Sequence, residues 1–255
     1  MTRVIVTRPA HEATAWAQTL AAAGHAVQVL PLIEIGPAPD PDALIRCRQA
    51  LARYDAAMFV SAQAVRAFWA APGPAPQAVP ALRCWAPGPG TARALQAAGV
   101  PLAQIDAPLA DAAQFDSEAL WAVVGRQVGP GHRLLLVHGV STDGHVGRDW
   151  LLAQCEAAGG TAQRCAAYQR CAPQLTTADC ERVQAGVGEG AWWLFSSSEA
   201  VQHLARACPA VDWSAARALV THPRIGAAAA RLGFGVVCDT RPALPDVLQT
   251  LESLH

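Results

Sequence analysis

Six short segments of this sequence carry the residue types that hold an anion: Thr7-Arg8-Pro9, Ser61-Ala62-Gln63, Pro87-Gly-Pro-Gly-Thr91, Gly139-Val-Ser-Thr-Asp-Gly144, Ser196-Ser197-Ser198 and Thr221-His-Pro-Arg224. Hydroxyl groups and backbone N–H groups donate to carboxylate oxygens, and a helix N-terminus adds partial positive charge. Arg8, Arg148 and Arg224 lie in or just beyond these segments, where a guanidinium can grip a carboxylate with two parallel hydrogen bonds. Taken singly, such Ser and Thr are ordinary helix caps and such Arg ordinary surface residues. Six segments opening on one cleft would make a surface for a polyanion.

A proton donor has fewer candidates. The chain has two tyrosines. Tyr54 precedes a strand-like run and is expected to pack at a helix end. Tyr168, inside Ala167-Tyr-Gln-Arg-Cys-Ala-Pro173, stands where the chain leaves one half of the molecule, and its phenol could reach a ligand held there; a packed ring with a satisfied hydroxyl is the plain structural alternative. The eight His and eight Cys show no metal-ligand spacing, so no metal site is expected and the cysteines read as reduced thiols. No Ser-His-Asp set can be assigned, and His222 is the one histidine in a candidate segment. Gly88-Pro-Gly90 lacks the third glycine and the acidic partner of a dinucleotide-binding turn.

Composition removes other chemistries. All 19 basic side chains are Arg, so Schiff-base, pyridoxal-phosphate and Walker-loop mechanisms, each of which needs a Lys amine, are excluded. A net charge of -1 offers no field for nucleic acid or a membrane surface. Alanine contributes 56 residues, so the 52% hydrophobic content overstates the core, but 255 residues still suffice for one long domain or two short ones. The run Val4 to Val6 is too short for a secretory signal, and the uncharged window from Ala13 to Ile33 is broken by Gln18, Gly24 and Pro31. A cytoplasmic protein without a nucleic-acid or membrane partner is expected.

The elements that must position these groups follow from periodicity. Strands are predicted at Val4 to Val6, Val27 to Leu30, Ala57 to Val60, Arg83 to Ala86, Leu134 to Val137, Ala162 to Ala166, Trp192 to Phe195, Ala218 to Val220 and Gly235 to Val237. Helices between them stop at Gly24, Gly99, Gly159 and Gly233. Such alternation predicts parallel sheets joined by right-handed crossovers. The pattern also repeats at long range. Phe59-Val-Ser-Ala-Gln-Ala-Val65 matches Phe195-Ser-Ser-Ser-Glu-Ala-Val201, Gly24 matches Gly159, and Gly99 matches Gly233, all at offsets near 135. Three landmarks at nearly one offset predict two similar doubly wound, flavodoxin-like α/β lobes. Gly36-Pro-Ala-Pro-Asp-Pro41 and Cys171-Ala-Pro173 follow equivalent strands, so two crossings there predict a two-stranded hinge.

In order along the chain, Val6-Thr-Arg-Pro9, Pro31-Leu-Ile-Glu34, the paired Phe59 and Phe195 motifs, Asp116-Ser-Glu-Ala-Leu120, Gly147-Arg148 and Ala167-Tyr-Gln-Arg170 resemble the uroporphyrinogen-III synthase family. The resemblance spans essentially the whole chain. It implies a monomeric, cofactor-free lyase of tetrapyrrole (heme, siroheme, cobalamin) biosynthesis that removes water from hydroxymethylbilane and closes it to uroporphyrinogen III with ring D inverted. It further implies that residues 1–35 and 170–255 form one discontinuous lobe and 37–167 the other. By the same resemblance Tyr168 assists the departing hydroxyl, while Ser61, Ser197, Ser198 and Thr221 hold substrate carboxylates. Gln63 and Thr91 stand at family contact positions where other residues are common. The alternative from another class is a non-enzymatic bilobal binding protein that closes around a small anionic ligand.

Overall fold

The computed structural model describes residues 1–73, 79–109, 112, 114–141 and 150–254. In chain order its strands are β1 (Arg3–Val6), β2 (Ala26–Val29), β3 (Glu34–Gly36), β4 (Ala56–Phe59), β5 (Arg83–Trp85), β6 (Ile105–Asp106), β7 (Arg133–Ser141), β8 (Thr161–Cys171), β9 (Trp192–Phe195), β10 (Arg217–Val220) and β11 (Val236–Asp239). Its helices are α1 (Ala10–Ala22), α2 (Pro41–Gln49), α3 (Ala62–Ala70), α4 (Pro89–Ala97), α5 (Ser117–Val124), α6 (Trp150–Ala157), α7 (Thr177–Gly188), α8 (Ser198–Ala207), α9 (Pro223–Leu232) and α10 (Leu244–Ser253). No described helix is long and apolar enough to cross a membrane.

The chain divides into two compact units, one of Met1–Ile35 with Cys171–His255 and one of Gly36–Arg170. One sheet has the order β11-β10-β9-β1-β2 and the other β3-β8-β7-β4-β5-β6. From β11 to β2, and from β8 to β6, neighbouring strands run parallel. The central strands are apolar throughout because helices cover both sheet faces. In the first unit Ile5 packs with Trp193, Phe195 and Phe234 on one face, while Val4, Val6, Leu194 and Leu219 pack with Leu20 and Leu251 on the other. All four residues of β9, and all four of β4, are buried.

The long-range repeat has a direct structural counterpart. Strands β4, β5, β6, β7 and β8 of one sheet stand in the same spatial order as β9, β10, β11, β1 and β2 of the other. The two Phe motifs fall at the β4–α3 and β9–α8 junctions. Gly24 and Gly159 close α1 and α6 at φ of 88° and 86°, a left-handed conformation that only glycine adopts without strain. Gly99 and Gly233 do the same after α4 and α9.

The nine predicted strands are all present, but the sequence reading fell short in two ways. Strands β3 and β6 were not expected, and β7 and β8 run on to Ser141 and Cys171, well past Val137 and Ala166. A glycine in β7 and the mixed Tyr-Gln-Arg run in β8 hide these extensions from a hydropathy pattern. The anion-friendly segments are correspondingly shorter than expected. Gln63, Thr91, Ser198 and Arg224 belong to the first turns of α3, α4, α8 and α9, so they are helix-start residues and not loop residues.

Candidate functional site

In the second unit the site grows from an irregularity in the β7–β8 ladder. His138 pairs with Ala166, but the next residue, Gly139, pairs with Tyr168, leaving Ala167 as an extra residue in β8. Such a bulge lets two successive side chains escape strict alternation, and Ala167 and Tyr168 are both buried, at 3% and 5% exposure. The Tyr168 ring lies directly on Gly139. A Cβ at that position would stand 2.3 Å from the hydroxyl-bearing Cζ and 2.5 Å from a ring Cε, so only glycine fits beneath the ring. The guanidinium of Arg170 lies 6.0 Å from the ring centroid.

The phenol ends on Ser61. Its oxygen is 3.3 Å from Ser61 Oγ, and Ser61, the residue before α3, accepts a hydrogen bond from the Ala64 N–H at 3.1 Å. Ser61 keeps its own O–H and a second lone pair, so the contact with Tyr168 can run in either direction. Phe59 fixes this junction from below, packing on Phe68 and Trp69 with ring centroids 5.5 and 5.2 Å away. The sequence Phe-x-Ser therefore places an anchor in the core and, two residues later, a capping hydroxyl at a helix start. A phenol and a hydroxyl at the positive end of a helix suit a group that gains negative charge as it leaves.

The remaining candidates of this unit are held differently. Gln63 Oε1 accepts from Arg66 Nε at 3.2 Å. Thr91 is only 6% exposed and follows Gly88, whose Cβ position would lie 3.1 Å from Phe115 Cβ. Arg148 lies outside the described residues.

In the first unit three neighbouring strand ends carry the candidate segments. Thr7 Oγ1 donates to the Leu194 carbonyl at 2.7 Å, and the Thr221 N–H donates to the Phe195 carbonyl at 3.2 Å, so the ends of β1, β9 and β10 are stitched side by side. Ser197 caps α8 by accepting from the Glu199 N–H at 3.2 Å, with Ser198 as the first helical residue. The cap of α9 is His222, whose Nδ1 accepts from the Arg224 N–H at 3.1 Å. That role was missed in the sequence, although His-Pro before an alanine run is a legible helix start. Arg224 is exposed. Arg8 has internal partners: it bonds Glu12 Oε2 at 2.9 Å and lies 3.9 Å over the Trp16 ring, and burial lowers its basicity while Glu12 restores part of it. The other residue whose role sequence reasoning missed is Gly139, read there as the start of a loop segment and found within β7.

Each unit thus gathers its own candidates: Ser61 with Tyr168 in one, and Thr221 beside the Ser196 to Ser198 segment in the other. Among the described residues no group of three or more His, Cys, Asp or Glu is arranged to hold a metal ion.

Comparison with known proteins shows the family of the chain. Residues 14–249 match the family described as uroporphyrinogen-III synthase HemD. A mutant uroporphyrinogen III synthase from Thermus thermophilus shares the fold with a TM-score of 0.59 at 18% identity, covering 99% of this chain and 98% of that one. The uroporphyrinogen-III synthetase of Helicobacter pylori gives 0.62 at 14% identity, with both chains covered completely. Among curated protein sequences nothing matches the chain. With more than nine-tenths of its length accounted for by one family model, the chain belongs to the uroporphyrinogen-III synthase family.

Proposed function

We propose that the protein is a lyase that converts hydroxymethylbilane to uroporphyrinogen III, inverting the terminal pyrrole ring and releasing water. The observation that carries the reading beyond family membership is the seating of Tyr168: a buried ring fixed on Gly139, with its hydroxyl against Ser61 at the start of α3. The substrate is an octacarboxylate that already holds a reactive hydroxymethyl group. Departure of that hydroxyl leaves an electrophilic azafulvene, which the substituted end of the fourth ring attacks to give a spiro intermediate; fragmentation and recombination then close the inverted ring. The protein has to fold the substrate and ease the departure of hydroxide, which is positioning and electrostatics rather than covalent catalysis. Tyr168 donates its proton, or a hydrogen bond, to the leaving oxygen, and Ser61 can replenish the hydrogen bond from behind.

Carboxylates of the substrate fall to Ser197, Ser198, Thr221 and Arg224 in the first unit, with lesser contributions from Arg8, Gln63, Thr91 and Arg148. Helix-start N–H groups beside these residues supply the remaining donors. The reading calls for no cofactor and is for a monomer acting in the cytoplasm. Incubation of the purified protein with freshly prepared hydroxymethylbilane, followed by oxidation and separation of the isomers, tests it. The type III isomer is expected; formation of the type I isomer alone, which the substrate gives unaided, overturns it. No observation favours the binding-protein alternative.

A further inference from the structure

A concavity apart from Ser61 and Tyr168 lies wholly within the second unit, between α2, the short turn Leu51–Arg53 that follows it, and the early part of β8. Its volume is about 820 Å³, and none of Ser61, Gly139 or Tyr168 lines it. Two features set it apart. Arg46, Arg53, Arg133 and Arg164 all contribute to its wall, against Asp40 as the one acidic lining residue. Two cysteines, Cys47 from α2 and Cys165 from β8, line the same space.

The cysteines are organised. The Cys165 thiol is hydrogen-bonded to Cys47, and Gln163 Nε2 donates to Cys47 Sγ at 3.8 Å. Gln163 is itself held by the Tyr54 hydroxyl, which donates to its Oε1 at 2.5 Å. Tyr54 thereby fixes the amide with its N–H side toward sulfur. With the Cys165 hydrogen bond and the nearby Arg46 charge outweighing burial, the Cys47 thiol is drawn down to about 7, whereas that of Cys165 is pushed up. The contrast with other buried thiols is large: burial pushes Cys84 up to about 12 and Cys208 up to about 11.

We propose that Cys47 and Cys165 form a thiol–disulfide exchange site whose arginine-lined mouth admits small anionic disulfides. The Cys47 thiolate attacks one sulfur of the incoming disulfide, forming a mixed disulfide and expelling one thiolate. Cys165 then loses its proton to solvent and attacks the Cys47 sulfur, expelling the second thiolate. The protein dithiol is oxidised by two electrons and the small disulfide is reduced to two thiols. Closure ties α2 to β8 by a covalent bond. Nothing in this scheme depends on the tetrapyrrole reaction.

The test uses the whole chain under native conditions with one equivalent of dithiobis-nitrobenzoate, a dianionic aromatic disulfide, and peptide mass mapping without reduction. The expected result is a fast phase in which the Cys47 and Cys165 peptides emerge linked, ahead of the more accessible Cys171, Cys180 and Cys238. Cys47→Ser should abolish that phase. Cys165→Ser should leave the aryl thiol attached to Cys47, with a single thiolate released. A neutral dipyridyl disulfide, scaled by its rate with a free thiol, should react at Cys47 roughly 10-fold more slowly than the anionic reagent, the smallest effect expected of a charge-focusing mouth. A fast phase that maps to other cysteines, that survives Cys47→Ser, or that shows no preference for the anion overturns the proposal.

Discussion

The junctions β4–α3 and β9–α8 begin from the same sequence motif and end in different chemistry. Ser61 and Ser197 each cap the following helix, accepting from Ala64 and Glu199 N–H groups at 3.1 and 3.2 Å. Ser61 also meets a phenol, at 3.3 Å. The cause lies two strands away. In the second unit β8 continues past Tyr168 to the unit's end at Arg170, and its bulge turns Tyr168 onto Gly139. In the first unit the equivalent strand, β2, stops at Val29, after which Leu30 and Leu32 are buried in the core and the Leu32 carbonyl bonds Nδ1 of His203, on α8, at 2.7 Å. A repeated scaffold thus provides two helix starts, and a strand extension adds a phenol to one of them. On the proposed function the second unit acts on the leaving hydroxyl, whereas the first holds carboxylates.

The comparison breaks most readily at the phenol. Tyr168→Phe keeps the ring and its packing but removes the proton, and turnover of hydroxymethylbilane to the type III isomer should fall by roughly 10²-fold or more. Wild-type turnover would take Tyr168 out of the reaction. Gly139→Ala attacks the same group through sterics alone, since Gly139 has no positive φ to lose. Its methyl cannot coexist with the ring, so the ring must leave its seat; turnover should approach that of Tyr168→Phe, with a stability loss of about 1–3 kcal/mol in denaturant titration. Removing the ring as well, in the double variant with Tyr168→Ala, should recover part of that stability relative to the sum of the two single changes. Strict additivity would mean that Gly139 and Tyr168 do not share the space.

How much of this was legible in the sequence depends on the range of the interaction concerned. The strand-helix alternation, the two-lobed α/β class and the helix stops at Gly24, Gly99, Gly159 and Gly233 are local signals, and the repeat made them stronger by stating each twice. Ser61 and Ser197 were legible as caps because Phe-x-Ser sits at a strand end. The partnership of Tyr168 with Gly139 was not, because register between β7 and β8 is set across 29 positions of chain and altered by one unpaired alanine. The internal partners of Arg8 were hidden for a related reason. Its neighbours Glu12 and Trp16 lie one and two helical turns on, a spacing visible in the sequence, but Arg-x-x-x-Glu is so common that it does not announce a committed guanidinium.

The two serines sharpen the comparison at smaller amplitude. Ser61→Ala and Ser197→Ala should each cost about 1 kcal/mol of stability, because each removes a helix cap. Their kinetics should differ. Loss of Ser61 leaves the phenol without its partner and should lower kcat roughly 10-fold, the consequence of a weakened charge-assisted donor, whereas loss of Ser197 should raise KM several-fold with kcat nearly unchanged. Equal effects on kcat would erase the division of labour between the units.

The smallest effect separates two arginines that the sequence alone would rank together. Arg8 is spent on the helix that follows it, α1, so Arg8→Ala should lower stability by about 1 kcal/mol through lost contact with Trp16 and Glu12, and should change KM little. Arg224 is the opposite case. It stands exposed in the first turn of α9, where a cation opposes the helix dipole by about 0.3–1 kcal/mol, and no acidic residue shares that turn. A residue placed against its local field is stabilised only when an anion arrives. Arg224→Ala should therefore leave the free protein as stable as before, or more stable by a few tenths of a kcal/mol, while raising KM for the octacarboxylate roughly 2- to 5-fold. Both quantities come from one preparation, by thermal unfolding and by initial rates. Opposite signs for stability and affinity identify a cation held in reserve for substrate, and a loss of stability on removing Arg224 would show that its positive charge serves the fold instead.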